Sequence, residues 1–114
     1  EISLIKLIPN GKFSVSENSK VIIEGNYIHG FINGEVTKYF SNGVIDTVEN
    51  YESGLLDGGR TVYNLDAGKE SGSILRQEQH WTNGLPDGVF IKNGYDGNLI
   101  RKVEFVKGQF KGEV

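Results

Sequence analysis

The chain has 114 residues, a net charge of −3, sixteen glycines and no cysteine. This length fits one domain, and the missing cysteines exclude disulfides, thiolate metal sites and thiol nucleophiles. The negative charge argues against a phosphate-backbone partner, so nucleic-acid binding is not expected.

The first segment of the chain is apolar but short. The stretch Ile2–Ile8 contains two polar residues and falls far below the ~20 residues that a membrane span needs, so a membrane role is not expected. The sequence starts at Glu1 instead of a methionine, which leaves open a removed leader or a longer parent protein. Residues 1–26 are predicted to form a leading cap unit, with Pro9-Asn10-Gly11 as its turn.

A repeat follows, and it is identified before any strand because a missed repeat would misassign the whole fold. An aromatic residue is followed three positions later by a glycine and four positions after that by a second glycine. The repeats are predicted at 27–50, 51–80 and 81–104, with the start of a truncated repeat at 105–114, all in one repeat domain, 1–114. An insertion around Gly68 lengthens the second repeat. The pattern aromatic-x-x-G-x-x-x-G starts at Tyr27, Tyr51, Trp81 and Phe105.

Turn signals occur throughout the repeats. Asn-Gly and Asp-Gly between β-prone runs are the strongest short-range hairpin signal, and consecutive hairpins pair with their neighbours in sequence. The sequence predicts an all-β fold, a single-layer curved antiparallel meander of about 8–10 strands built from hairpin repeats of ~24 residues. The eight predicted turn pairs are Asn10-Gly11, Asn33-Gly34, Asn42-Gly43, Asp57-Gly58, Asn83-Gly84, Asp87-Gly88, Asn93-Gly94 and Asp96-Gly97.

The strands that lead into the repeated aromatics have two different faces, because alternate side chains point to opposite sides. The face with the aromatics has ten apolar and two charged residues among sixteen positions. We therefore expect this face to be apolar, and covered by curling of the sheet, by a second copy or by a partner. The opposite face is expected to be solvated, and its charged residues are Glu24, Asp46, Arg76, Glu78, Lys102 and Glu104.

The candidate partner-binding residues are the aromatics of the repeat. A structural role is the favoured interpretation, because packing is needed in every repeat whereas a ligand site is not; the alternative is a ridge that stacks on ligands. His29 and His80 have no companions at ligand spacing, and no nucleotide-binding glycine motif is present. No catalytic, metal or cofactor site is predicted, and a small-molecule ligand is not indicated. The candidates are Tyr27, Tyr51, Trp81 and Phe105, with Tyr39 and Tyr63 at equivalent places in the first two repeats.

The repeated spacing, with Tyr39-Phe40-Ser41-Asn42-Gly43 ahead of a second strand, resembles MORN-type repeat proteins. The closest likeness is to the bacterial variant repeat of toxin-antitoxin-associated antitoxin proteins. It covers about residues 20–114, although the third repeat has Ile91-Lys92-Asn93 where the tyrosine would fall. The resemblance implies an elongated, curved, single-layered antiparallel sheet in a protein that acts by binding other molecules. The sequence leaves the location open between the bacterial cytoplasm and export.

Three functions are consistent with these patterns. The first is a non-catalytic protein-binding or scaffolding module, antitoxin-like within the family it resembles, that binds a protein partner or a second copy. The second is carbohydrate or cell-wall binding through an aromatic ridge. The third is a hydrolase whose site the motifs do not reveal, which would need a cleft with converging polar side chains.

Overall fold

The computed structural model describes residues 10–66, 68 and 72–114, and this part of the chain is one open antiparallel sheet without a helix. The predicted all-β antiparallel meander is confirmed. The apolar stretch Ile2–Ile8, Pro9 of the predicted cap, and residues 67 and 69–71 of the insertion lie outside the described residues. The strands are β1 (Gly11–Glu17), β2 (Lys20–Ile28), β3 (Phe31–Ile32), β4 (Gly34–Tyr39), β5 (Ile45–Glu52), β6 (Leu55–Leu65), β7 (Ser73–Thr82), β8 (Leu85–Pro86), β9 (Gly88–Asn93), β10 (Leu99–Val106) and β11 (Gln109–Glu113).

The strand order follows the chain: β1-β2-β4-β5-β6-β7-β9-β10-β11. The two-residue strands β3 and β8 lie off this path, on β2 and β7. They account for the excess over the predicted strand number. They also precede β4 and β9 directly, so each continues into the next long strand after one residue.

The four hairpins β1–β2, β4–β5, β6–β7 and β9–β10 contain the same β-bulge. In each, the pairing register shifts near the turn, so that one extra residue of the second strand is left between two pairs. Bulges of this kind bend a strand and increase its twist. The hairpins are therefore equivalent in backbone structure, including the first, whose sequence matches the repeat loosely. The residues after the shift are Ser16, Tyr39, Tyr63 and Asn93.

Successive hairpins are joined by two-residue turns. In every one of these turns φ is 48–50° at the first residue and 81–87° at the second, so both are positive, as in type I′ turns. Asn18 and Ser19 close the first hairpin in a similar way, without a glycine. The joining turns are His29-Gly30, Ser53-Gly54, Asn83-Gly84 and Lys107-Gly108.

Three of the predicted hairpin turns are wrong. Asn33-Gly34, Asp57-Gly58 and Asp87-Gly88 do not reverse the chain, because they lie where the strand continues past the preceding turn. The turn predicted at Pro9-Asn10-Gly11 extends outside the described residues. The side chains of Asn10 and of the other three Asx residues bind the turn that follows one repeat later. The backbone N–H groups of His29, Ser53, Asn83 and Lys107 donate to the side-chain oxygens of Asn10, Asn33, Asp57 and Asp87 at 2.8–3.1 Å.

A backbone hydrogen bond accompanies these side-chain bonds. The N–H of the turn glycine one repeat later donates to the carbonyl of the residue that precedes the Asn or Asp. The donor and acceptor pairs are Gly54 with Ile32, Gly84 with Leu56 and Gly108 with Pro86, at 2.7–2.8 Å. We call this pair of bonds the Asx joint. It connects each hairpin to the next, on the side of the sheet where the joining turns lie.

The sheet has almost no apolar core. Among the described residues Val36, 3% exposed, is the single buried apolar side chain, and the other buried side chains are those of Thr37, Thr47 and Glu49. An open single sheet cannot enclose an interior, so burial has to arise between neighbouring side chains on each face. The most informative of these buried residues is Glu49, because an ionised carboxylate is rarely buried unless it is paired.

Candidate functional site: the aromatic face

The four repeated aromatics occupy equivalent positions in the fold. Each lies opposite the glycine that begins a hairpin, and cross-strand partners share a face of the sheet. The pairs are Tyr27 with Gly11, Tyr51 with Gly34, Trp81 with Gly58 and Phe105 with Gly88. We call the side of the sheet that carries them the aromatic face.

The rings of this face form two clusters instead of one ridge. At one end Phe13 and Tyr27 have ring centroids 4.7 Å apart. At the other end the contacts run from Trp81 to Phe90 at 5.6 Å, from Phe90 to Phe105 at 4.9 Å and from Phe105 to Phe110 at 5.6 Å. Tyr51, which lies between the clusters, contacts no other ring in the described part of the chain.

Sequence reasoning missed three of these rings, Phe13, Phe90 and Phe110, because they lie outside the aromatic-x-x-G-x-x-x-G pattern. A signal was present for two of them. Phe13 and Phe90 both stand two residues after the glycine that begins a hairpin, and Phe90 pairs with Val103 on the same face as Phe105.

A network of charged side chains lies between the two aromatic clusters. Glu49, 5% exposed, accepts a hydrogen bond from Arg60 Nε at 2.7 Å and one from the Tyr51 hydroxyl at 3.0 Å. Lys38 Nζ lies 3.4 Å from the same carboxylate. These partners come from strands β4, β5 and β6, so the carboxylate joins three neighbouring strands.

The network continues toward the larger aromatic cluster. Arg60 Nη1 donates to Gln79 Oε1 at 3.1 Å, and Trp81 Nε1 donates to the same oxygen at 3.1 Å. Gln79 Nε2 in turn donates to Gln77 Oε1 at 3.0 Å. The indole ring of Trp81 is therefore fixed through Gln79 and Arg60 to the buried carboxylate.

The environment of Glu49 favours its ionised form. Burial alone would raise the pKa of this carboxyl, but the hydrogen bond from Arg60, the charge of Lys38 and the hydrogen bond from Tyr51 together lower the pKa below its ordinary value. Tyr51 responds in the opposite direction, because its burial and the neighbouring carboxylate raise the pKa of its hydroxyl. At neutral pH the centre of the face thus holds a carboxylate, two cations and a neutral tyrosine.

The expectation of an apolar face is wrong at its centre. The prediction rests on the strands that lead into the aromatics, and these strands contain Glu49 but not Arg60. The register places Arg60 of β6 directly opposite Glu49 and next to Gln79 on the same face. A guanidinium at this position makes burial of the carboxylate possible.

Tyr39 and Tyr63 do not belong to the aromatic face. Each follows a residue of that face, Lys38 or Val62, and alternation therefore places it on the opposite side of the sheet. The Tyr39 hydroxyl donates a hydrogen bond to Glu24, which raises the pKa of the tyrosine. The two tyrosines occupy equivalent bulge positions, but they line a different surface from the other four candidates.

The two histidines lie in different parts of the fold. His29 lies in a turn and His80 on the face opposite the aromatics. In residues 10–66, 68 and 72–114 no three His, Asp or Glu side chains gather so as to hold a metal ion. No helix in this part of the chain is long and apolar enough to cross a membrane.

Comparisons with known proteins assign no family to this chain. No family model matches the sequence, and no match is found among curated proteins. The chemistry of the aromatic face is therefore the basis on which a function can be inferred.

Proposed function

We propose that the chain is a non-catalytic protein-binding or scaffolding module and that it docks its partner on the aromatic face. The observation that supports this is the arrangement of two half-buried aromatic clusters around a network containing Arg60 and Trp81, on a face that no helix or second sheet covers in the described residues. Contiguous exposed aromatic surface is characteristic of interaction sites, and Trp, Tyr and Arg are the residues that most often dominate binding energy.

The rigidity of the face favours binding. Trp81 and Arg60 are both held by Gln79 Oε1, and Arg60 is held again by Glu49. Side chains that are fixed before association lose less conformational entropy when a partner docks. The face therefore presents a large ring and a guanidinium already in one arrangement.

The resemblance to MORN-type repeats agrees with a binding role, and its antitoxin-like form names a small toxic protein as the partner. Self-association through the same face is the other form of the proposal. Sedimentation of the purified chain at increasing concentration distinguishes them, because a second copy on the aromatic face would shift the mass of the species and a different partner would not.

Affinity capture with matched variants tests the proposal. Phe110 is 54% exposed on the aromatic face, and Phe31 is 58% exposed but pairs with Ile28 on the opposite side. We expect Phe110→Ser to abolish retention of a partner that the wild type and Phe31→Ser both retain. If no protein is retained from any cell fraction, or if Phe110→Ser retains it as well as the wild type, docking on this face is refuted.

Carbohydrate binding is a second candidate, because the rings from Trp81 to Phe110 form an unbroken row. The angles between successive rings are 56°, 56° and 65°, so the row is not the flat platform on which a sugar ring stacks best. This geometry favours a protein partner. A panel of cell-wall polysaccharides that leaves the Trp81 fluorescence unchanged would eliminate the carbohydrate candidate.

A further inference from the structure

The two faces of the sheet carry opposite charge, although the chain as a whole is acidic. Pairing register sorts the charged side chains of the ladder by face, because cross-strand partners lie on the same side. The aromatic face has four cations, Lys38, Arg60, Lys92 and Arg101, and two carboxylates, Glu49 and Glu113. Among the paired residues, the opposite face has two cations, Lys12 and Lys102, and five carboxylates, Glu24, Glu35, Glu52, Glu78 and Glu104. Glu17 and Lys20 pair with each other at the first turn, so their charges cancel.

Two of the cations on the aromatic face lie directly opposite each other. Lys92 of β9 and Arg101 of β10 are cross-strand partners. Like charges in this position repel and destabilise the pair. Arg101 is 57% exposed and its Nε contacts Glu113 at 2.7 Å, whereas Lys92 is exposed and takes part in none of the ion pairs of the described residues. A carboxylate from outside the chain would relieve the repulsion between them.

The cation pair lies beside the larger aromatic cluster. Along β10, Arg101, Val103 and Phe105 alternate onto the same face, and along β9 Lys92 is two residues from Phe90. Two residues of a strand span about 7 Å. An extended chain laid along these strands would therefore place a carboxylate on the cations and an apolar side chain on the rings when the two are two to four residues apart.

From this arrangement we propose that the partner segment on the aromatic face is an acidic, extended polypeptide with an apolar anchor residue. The inference rests on the proposed function and names the chemistry of its partner. The carboxylate lies on Lys92 and Arg101, and the anchor lies against Phe90 and Phe105. Charge complementarity determines the acidic character and the adjacent rings determine the need for an anchor.

A polypeptide fits this surface better than a nucleic acid does. A nucleic-acid strand carries a charge at every nucleotide, whereas a polypeptide can place its carboxylates at the cations alone. Glu49 and Glu113 lie on the same face as the cations. The carboxylates of the opposite face are separated from this surface only by the single layer of the sheet, a distance of the order of the Debye length of about 8 Å at physiological salt, so salt does not screen them fully. A continuous polyanion would meet these negative charges along with the cations.

Two charge-reversal variants test the proposal against the total charge of the chain. Lys92→Glu and Lys102→Glu change neighbouring strands of the β9–β10 ladder on opposite faces, and each makes the net charge of −3 more negative by two units. The probe is a fluorescein-labelled peptide that alternates Glu and Ser and ends in a single Phe, measured by fluorescence anisotropy. We expect Lys92→Glu to weaken binding about tenfold and Lys102→Glu to change it less than about twofold.

Control ligands identify the class of partner. Replacing every Glu of the peptide by Gln, or the Phe by Ser, should weaken binding to the wild type. Equal effects of the two variants, or tighter binding of a Lys-containing peptide, overturn the proposal. Tighter binding of oligo-dT or polygalacturonate than of the acidic peptide overturns the choice of polypeptide.

Failure of this inference can be told apart from failure of the proposed function. If no acidic peptide binds while a partner is still captured in a Phe110-dependent way, the acidic segment is wrong and docking on the face stands. If capture is also lost, both are wrong. Far-UV circular dichroism checks that Lys92→Glu is folded. If Lys92→Glu is not folded, the milder variant Lys92→Ala replaces it in the test and should also weaken peptide binding.

Discussion

Replacing Glu49 by Val and Arg60 by Phe, singly and together, measures what the buried ion pair contributes to the fold. The choice of residues comes from the chain itself. The β9–β10 hairpin has Val103 two residues before Phe105, as Glu49 stands before Tyr51, and Phe90 two residues after Gly88, as Arg60 stands after Gly58. The double variant therefore places at the β5–β6 junction two apolar residues that already occupy the corresponding positions in another hairpin.

The expected free energies of unfolding follow from burial. Breaking a buried ion pair by removing one partner costs about 3–5 kcal/mol, because a charge is left without compensation. Arg60→Phe leaves the carboxylate of Glu49, 5% exposed, with Lys38 and Tyr51 only, and we expect a loss of about 2–3 kcal/mol because Lys38 still neutralises part of the charge. Glu49→Val leaves Arg60, 26% exposed, able to turn toward water, and we expect about 1–2 kcal/mol.

The double variant should lie within about 1 kcal/mol of the wild type, because apolar residues of similar volume often replace a buried pair without loss. Urea unfolding followed by Trp81 fluorescence and by far-UV circular dichroism provides the measurement. The two signals must give the same midpoint, since repeat arrays do not always unfold in one step. Additive losses in the double variant, or a smaller loss for Arg60→Phe than for Glu49→Val, would refute the role assigned to the pair.

Three further predictions concern pH and the backbone. The folded-state pKa of Glu49 is lowered, so the stability that this carboxylate contributes is present above its unfolded pKa and is lost as the pH falls through the folded pKa. The difference in unfolding free energy between the wild type and Glu49→Gln should therefore narrow below about pH 4. A difference that stays constant with pH in urea titrations would contradict this. Asp57→Ala should lose about 1 kcal/mol in the same assay by breaking one Asx joint, whereas Asp57→Asn should be nearly neutral because Asn10 and Asn33 make the same side-chain bond. Gly88→Ala should lose about 1–3 kcal/mol, because φ is +130° and the new Cβ would lie 2.9 Å from His80 Cβ. It should lose more than Gly11→Ala, where φ is +116° but no atom of the described residues beyond the chain neighbours lies within 4 Å of the new Cβ.

The fold could be predicted because its signals are local and repeated. An aromatic and two glycines at fixed spacing mark each hairpin, and Trp81 and Phe105 take the places that this spacing gives them. The Asx-Gly pairs were ambiguous for a physical reason. The same pair closes a turn at Asn83 and forms a joint at Asn33, and what differs is whether the Asn side chain finds a backbone N–H twenty residues later in the chain.

The polar centre of the aromatic face could not be predicted from the alternation of side chains along the strands that lead into the aromatics. Glu49 and Arg60 are eleven residues apart and belong to different strands, so their contact depends on the pairing register and on the exact length of the turn between them. A sequence signal did exist. The position two residues after each hairpin glycine holds Phe13, Val36, Arg60 and Phe90 in turn, and a single cation in an otherwise apolar series calls for an anion beside it.

An ion pair that adds little net stability to the sheet must be explained by something other than stability. Arg60 reaches from Glu49 to Gln79, and Gln79 holds the indole of Trp81 beside Phe90. In a sheet without a core, no interior packs against such a ring, so hydrogen bonds along the face have to fix its orientation. The double variant separates these roles, because a chain that unfolds at the wild-type urea concentration but binds its partner more weakly has lost the orientation of the ring and not its fold.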